Sequence, residues 1–377
     1  MCQTFSITVS KRPVRVRGAT VRHGTVVVVS TDAGSPGTTS GEPPLGRVTI
    51  TDVARAAGVS VATVSKVING RYGVAASTSE RVLEVVARLG YESSLVASSL
   101  RRRRTDVIGI LVAEFEPFAT ELLKGVSAAV AGTGYDVLAY SGSVSGDNTV
   151  GWERRSLSRL AGTLIDGAVI VTPTVLFPTT DIPVVAIDPH TGPTGPTTID
   201  SDNVGGARAA TRHLLELGHR RIGHVRGRTD LESAHRRERG YREALAEAGV
   251  PFDPDLVRDG GYRAATTTEA ARALLELPDP PTAIFAANDL SAIRTVEVAR
   301  ERGLRVPEDL SVVGFDNVPE ASNCEPPLTT VAQPLQQMGA EAVRLLLDLL
   351  DGKERERHVH MPARLVVRRS SGPAPVR

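Results

Sequence analysis

From Val48 onward the apolar positions follow a helical period that stops and restarts twice before residue 92. "TITDVARAAG" (49–58) puts Ile50, Val53, Ala54 and Ala57 on one face, with Thr49 placed to cap a helix and Gly58 to end it. "SVATVSKVING" (60–70) predicts a second helix, capped by Ser60 and followed by Gly70, with Val61, Val64, Val67 and Ile68 as its apolar positions. "STSERVLEVVARLGY" (77–91) predicts a third, with Ser77 and Glu80 as a capping box and Gly90 as its terminator.

After Asp106 the pattern becomes short apolar strands alternating with helices. "VIGILVA", "YDVLAYSG", "DGAVIVTP" and "IPVVAID" read as strands with helices between them. The alternation restarts after "TTIDSD" with "RIGHVRG", "AIFAAND" and "LSVVGFDN". Short buried strands joined by helices predict parallel, doubly covered sheets. Two such series predict two similar lobes with a ligand cleft at the strand carboxyl ends. The expected division is an N-lobe at about 106–199 and 317–332, and a C-lobe at about 200–316 and 333–377. Residues 1–46 lack sustained periodicity, and "TDAGSPGTTSGEPPLG" (31–46) is Gly, Pro, Ser and Thr rich, so a disordered tail is expected there.

A length of 377 residues implies two or three domains. No run approaches the length of an apolar membrane span, and "TVVVVS" (25–30) is too short and too polar in its flanks for a secretory signal. Cys2 and Cys324 give neither a disulfide framework nor a metal cluster. A soluble cytosolic protein without a cofactor and without membrane contact is expected.

Charge sharpens the division. Residues 47–104 carry ten basic and four acidic side chains, while the whole chain carries 44 Lys+Arg against 43 Asp+Glu. A small basic segment on an acidic body points to a polyanion-binding module joined to something else. Segment 50–69 fits a helix-turn-helix: Ala54 is small where two helices cross, Gly58 sits at the turn, and Val64 is buried in the second helix. That second helix, 61–68, would enter the major groove. Val61 and Ala62 can touch thymine methyls, Lys66 can reach a guanine edge or a phosphate, and Ser60, Thr63, Ser65 and Asn69 suit phosphates or base edges, with Thr49 at the start of the motif.

"VTITDVARAAGVSVATVSKVING" resembles the DNA-binding headpiece of the LacI/GalR family of bacterial transcription regulators. The resemblance runs over about 47–370 and includes "GYESSLVASSLRRRRT", "HLLELGHRRIGHV", "AIFAANDLSAI" and "VPEDLSVVGFDN". It implies a three-helix headpiece (47–93), a hinge (94–105), and a periplasmic-binding-protein-like α/β core of two doubly wound parallel-sheet lobes (106–377) for effector binding and dimerisation. In the hinge, Leu100 matches the residue that wedges into the minor groove, Val96 and Ala97 match the pairing positions, and Arg101 to Arg104 would lie beside phosphates. Ser93, Ser94 and Ser98 depart from the family's usual proline, asparagine and arginine.

The resemblance also marks effector contacts. Phe118 matches an aromatic suited to a sugar face, and Asp202 and Asn203 lie at the lobe crossover. Arg237 matches a ligand-binding arginine, beside Glu238 where an apolar residue is commoner. Tyr262 walls the pocket, and Asn288, Asp289 and Asp316 stand at strand ends. The partners implied are double-stranded operator DNA, a mono- or oligosaccharide effector, and a second copy of the chain, as a dimer or a tetramer. No P-loop, nucleophile elbow or metal-spaced histidine cluster is legible, His358 and His360 read as surface residues of a terminal strand, and His219 and His224 as structural. A transport-type sugar-binding protein and a sugar-processing enzyme on an α/β scaffold stand as alternatives.

Overall fold

A computed structural model describes residues 48–68, 72–91, 104–142, 151–175, 180–190, 197–353 and 358–376, and three short strands before residue 30. The chain divides into two compact units at Thr105 and Asp106, and the first 31 residues belong with the larger one.

The smaller unit holds α1 (Ile50–Ala57), α2 (Val61–Ile68) and α3 (Ala76–Leu89). Val53, Ala54, Ala57, Val64, Val82 and Val85 form its buried core. Thr49 starts α1 through a reciprocal cap: its hydroxyl accepts from the Asp52 amide, and the Asp52 carboxylate accepts the Thr49 amide at 2.9 Å. Gly58 closes α1 with φ of 65°, the left-handed conformation the turn requires. Ser60 accepts the Thr63 amide at 3.1 Å and so caps α2. The capping box expected from Ser77 and Glu80 does not form, because α3 begins two residues earlier than a cap at Ser77 implies, at Ala76, with Ala75 at the cap and no side-chain bond there. Gly90 ends α3 in the left-handed conformation.

In the larger unit, β1 (Arg15–Val16) and β2 (Ala19–Thr20) pair with each other, and β3 (Thr25–Val29) joins the sheet described next. The N-lobe comprises β4 (Val107–Val112), α4 (Pro117–Val130), β5 (Asp136–Ser141), α5 (Trp152–Leu160), β6 (Gly167–Val171), β7 (Val184–Ile187) and β8 (Thr197–Ser201). The chain then crosses to the C-lobe through α6 (Asn203–Glu216), β9 (Ile222–Arg226), α7 (Glu232–Glu247), β10 (Val257–Asp259), α8 (Ala264–Leu275), β11 (Ala283–Ala286), α9 (Asp289–Glu301), β12 (Ser311–Asp316), α10 (Pro319–Asn323) and β13 (Thr329–Ala332). It returns through α11 (Leu335–Leu350) and β14 (His358–Met361), and ends at β15 (Arg364–Val366). The N-lobe sheet has the order β14-β8-β7-β6-β4-β5-β3 and the C-lobe sheet the order β10-β9-β11-β12-β13-β15. Only β3 and β15 run antiparallel to their neighbours in these two sheets. Strands β4 and β6 are buried along their whole length, as helices on both faces require.

Two expectations are corrected. Residues 25–29 of the supposed tail form a strand: its β-branched valines pair with β5, Val27 opposite Ala139, and cover an otherwise open edge. The carboxyl-terminal segments also exchange lobes relative to the expected division. β13 pairs with β12 and so belongs to the C-lobe, whereas α11 and β14 belong to the N-lobe. Strand-helix alternation alone does not reveal which sheet edge a strand reaches. The seating of α11 is fixed by close backbone approach: a Cβ on Gly125 would lie 1.8 Å from the Gln336 carbonyl oxygen, and one on Gly339 would lie 2.2 Å from that of Leu122. Among the described residues no helix is long and apolar enough to cross a membrane.

His219 and His224 are structural. His219 bonds Thr282 at 2.8 Å and Ser311 at 3.1 Å. His224 is fully buried, stacked between Tyr241 and Phe285, with Nδ1 donating to the Phe285 carbonyl at 2.9 Å. Burial pulls its pKa down from 6.5 to about 4. The unfolded chain therefore takes up a proton below pH 6.5 that the fold refuses until about pH 4, and stability falls across that window as pH falls. Replacing His224 with Phe, which keeps the stack, should flatten this acid limb by about 3 kcal/mol at most. Denaturant titrations at several pH values measure it, and an unchanged slope would show that His224 does not titrate with unfolding.

Candidate functional site

Two surfaces carry chemistry. The first is the outward face of α2. Val61 is 42% exposed, and Ala62 and Lys66 are exposed beside it, while Val64 points into the core. Thr63 and Ser65 are half-buried, and the Ser60 hydroxyl is bonded to Thr63 at 2.9 Å. The face thus offers two small apolar groups and one long cation, dimensions that suit the major groove. The Thr49 hydroxyl is occupied by Asp52 at 2.6 Å. Asn69, Val96, Ala97, Leu100 and Arg101 lie outside the described residues, as do Arg102 and Arg103.

The second is a cleft between the lobes of the core. From the N-lobe it is lined by Glu114, Glu116, Phe118, Trp152, Asp188 and His190, among others. From the C-lobe it is lined by Arg228, Arg237, Tyr262, Arg263, Asn288 and Asp316. Four lining residues, Thr172, Asp188, Tyr262 and Asp316, hold positive φ without being glycine. Strain of this kind persists only where the surroundings over-determine it, and it collects at ligand sites.

Arg237 is the centre of the cleft. It is 3% exposed, its guanidinium lies 3.4 Å from the Asp316 carboxylate, and it covers the Phe315 ring at 3.8 Å. Its Nε donates to Asn203 Oδ1 at 2.8 Å and its Nη1 to the Ala287 carbonyl. Asn203 in turn donates to Asp188 at 3.3 Å, and Gln333 donates to Asp316 at 2.7 Å while accepting from Ser201. Burial pushes Asp316 up to about 6, against the opposing pull of Arg237 and Gln333, and it pushes Asp188 up as well. Withdrawal from water in the cleft and the nearby Asp316 and Glu114 charges push Glu116 up to about 7, although Glu116 keeps an exposed face that screens it. Burial and then Arg228 lower His190 to about 4, which makes its ring neutral at physiological pH.

Phe118, Arg237, Tyr262, Asn288 and Asp316 are thus brought together at one cleft. The other three sequence-derived positions stand behind or beside it. Asp202 caps α6 through the Gly205 amide at 2.8 Å. Asn203 is buried and orients Arg237. Asp289 was expected to accept sugar hydroxyls, but it is fully buried, and its carboxylate accepts the Val318 amide at 2.9 Å and the Thr330 hydroxyl. Asn288 combines a cleft position with a cap on α9, through the Ser291 amide at 2.9 Å. Glu238 faces away from the cleft, where it accepts from Arg226 at 3.3 Å and Arg242 at 2.9 Å.

Sequence reasoning missed Trp152, Asp188, His190, Glu116 and Arg228. Asp188 had a signal: it ends the strand "VVAID", the same position that drew attention to Asn288 and Asp316. Trp152 opens α5, and Glu116, His190 and Arg228 sit on connections.

Residues 49–94 match the family model described as "Bacterial regulatory proteins, lacI family", and residues 211–371 match a periplasmic binding protein-like domain. The chain is 36% identical over 334 residues to the HTH-type transcriptional repressor PurR of Aliivibrio salmonicida, covering 85% of this chain and 98% of that protein. The chain belongs to the LacI family. Among solved structures of this family, a lac repressor dimer bound to operator and the anti-inducer ONPF is similar at 28% identity and a TM-score of 0.72, covering 87% of this chain and all of that one. A complex of the transcriptional regulator CelR with cellobiose is similar at 34% identity and a TM-score of 0.62, covering 86% of this chain and 100% of that one. As a member of the LacI family the chain is a transcriptional regulator and not an enzyme.

Arg237 is the only buried cation against Asp316 and Asp188 among the described lining residues. Arg237→Met removes that cation and leaves the carboxylates unpaired. It should cost about 3–5 kcal/mol of core stability at neutral pH. The loss should shrink as pH falls towards about 6, because Asp316 without Arg237 takes up its proton above the value that it has beside Arg237. Denaturant unfolding at two pH values checks both parts, and an equal loss at both would remove the charge explanation.

Proposed function

We propose that this chain is a repressor that binds a near-palindromic operator as a homodimer in the bacterial cytoplasm, and that a neutral mono- or oligosaccharide in the interlobe cleft controls its operator affinity. The supporting observation is the cleft lining. Phe118, Trp152 and Tyr262 offer ring faces for sugar C–H surfaces, and carboxylates alternate with guanidiniums around them as hydroxyl partners. Opposite charges are present in comparable number, which disfavours an anionic ligand such as a phosphate. Phe118, Arg237, Tyr262, Asn288 and Asp316 are the direct contacts on this reading, with Asp188 and His190 added, and Asn203 and Asp289 hold them in place. The cellobiose complex of the similar CelR supports the saccharide class. The operator-bound dimer of the similar lac repressor supports the assembly. On the DNA side Val61, Ala62 and Lys66 read the groove. Ser60, Thr63, Ser65 and Asn69 hold phosphates or base edges, Thr49 braces α1, and Val96, Ala97, Leu100 and Arg101 form the hinge contacts.

The test joins both sites. An operator is selected from random duplexes, and mono- and oligosaccharides including cellobiose are screened by thermal shift. A sugar that raises Tm should also change operator affinity, and Phe118→Ala should weaken that sugar's binding about tenfold, a change of roughly 1.4 kcal/mol. Stabilisation by sugar with no change in operator affinity would remove the control and leave a plain sugar-binding protein. Lys66→Ala should weaken specific binding by roughly 1–3 kcal/mol if Lys66 reads a base. An equal loss on random DNA would reduce its role to a phosphate contact.

A further inference from the structure

His358 and His360 read from sequence as surface residues, yet the fold brings them to a third polar group. β14 pairs with β8 in parallel, with His358 opposite Thr198 and His360 opposite Asp200. Residues two apart on a strand share a face, so both imidazoles stand on the same side as Asp200. Asp200 is 3% exposed. One of its oxygens, Oδ1, receives both rings: His360 Nδ1 lies at 2.6 Å and His358 Nε2 at 3.6 Å. The other oxygen accepts from Arg236 at 2.7 Å. The remaining ring nitrogen of His358, Nδ1, is bonded to the Thr198 hydroxyl at 2.7 Å.

We propose that Asp200 Oδ1, His358 Nε2 and His360 Nδ1 form a binding site for a first-row divalent cation of the zinc class. Imidazole and carboxylate are the donor set such ions take, and a three-ligand site leaves a fourth position open. Ligand atoms at about 2.1 Å from a tetrahedral ion are roughly 3.4 Å apart. The spacing of His358 to Asp200 already fits. The pair of His360 with Asp200 is a hydrogen bond that opens by roughly 1 Å when an ion replaces the shared proton. His360 has the freedom to do so, since its side chain is 52% exposed. The outer partners have the form that metal ligands require. The Thr198 hydroxyl at Nδ1 orients the His358 ring so that Nε2 faces Asp200, and in the tautomer with Nδ1–H donated to Thr198 the Nε2 lone pair is available to a cation. Arg236 holds the second carboxylate oxygen and fixes the orientation of the first. Asp200 is in the N-lobe and Arg236 in the C-lobe, so the site lies beside the first crossover, outside the effector cleft.

The experiment uses the untagged full-length protein, stripped with chelator and titrated with Co²⁺ and Zn²⁺. One Co²⁺ per chain should bind with visible ligand-field bands, and equimolar Zn²⁺ should bleach them. The double variant His358→Gln/His360→Gln should lose bands and bound metal while keeping its circular dichroism and melting profile, because both side chains are on an edge strand. Thr198→Val, which removes only the outer partner of His358, should weaken binding roughly 10–100-fold. Retention of stoichiometric metal by the double variant would place the ion elsewhere and overturn the site. So would an absence of bands in the parent protein at equimolar metal. Neither readout depends on DNA or sugar, so failure here is separable from failure of the proposed function.

Discussion

A buried guanidinium sets the arrangement of the whole core. Arg237 is almost completely removed from water, a position that is costly for any charge without partners. Groups from the first two passages of the chain between the lobes take part in its network. Asn203 is the first residue after the first crossover, Gln333 lies just before the helix that makes the second, and Asp188 ends an N-lobe strand while Asp316 ends a C-lobe strand. The direct partners of Arg237, which are Asn203, the Ala287 carbonyl and Asp316, belong to the C-lobe, and the bonds of Asn203 to Asp188 and of Ser201 to Gln333 carry the network on to the N-lobe. The polar network therefore links the two lobes through Asn203–Asp188 and Ser201–Gln333.

The cleft owes its character to that network. Its N-lobe wall carries the carboxylates of Glu114, Glu116 and Asp188, and its C-lobe wall carries the guanidiniums of Arg228, Arg237 and Arg263 together with the Asp316 carboxylate. With groups of both signs on the lining, a polyhydroxylated guest can bond to both without adding charge. Burial holds Asp316 near 6 and the ring of His190 near 4. Asp289, by contrast, spends its carboxylate on the Val318 amide and Thr330, so it fixes the end of β12 and the lip of the cleft rather than facing a guest.

How much of this was legible depends on the range of the interaction involved. The headpiece was readable to single residues because helix caps, the turn glycine and the buried Val64 are local patterns, and the one local error was a cap displaced to Ala75. The cleft was readable where the strand-end rule applied, at Asn288 and Asp316, and where family motifs marked Phe118, Arg237 and Tyr262. Trp152 and His190 were not readable, because neither stands at the end of a strand, where the rule that found Asn288 and Asp316 applies. Lobe membership of β13, α11 and β14 failed for the same reason: a strand's partner is decided by which sheet edge is free, and β3 shows that even a segment dismissed as a tail can fill such an edge.

On the proposed reading, the two surfaces work together because each is weak alone. The α2 face offers Val61, Ala62 and a single exposed cation, Lys66, a set too small for tight discrimination by one headpiece. Specific binding then requires two headpieces at a fixed spacing, and that spacing is available to control by the cores. A ligand can shift such a system only by its difference in affinity between two lobe arrangements. The opposed walls supply that difference, since a guest that bridges carboxylates and guanidiniums binds only where both are within reach. Typical coupling of this kind is about 1–3 kcal/mol, comparable to the loss of one good base contact. A modest bias in the cleft is then enough to decide whether the second half-site is held.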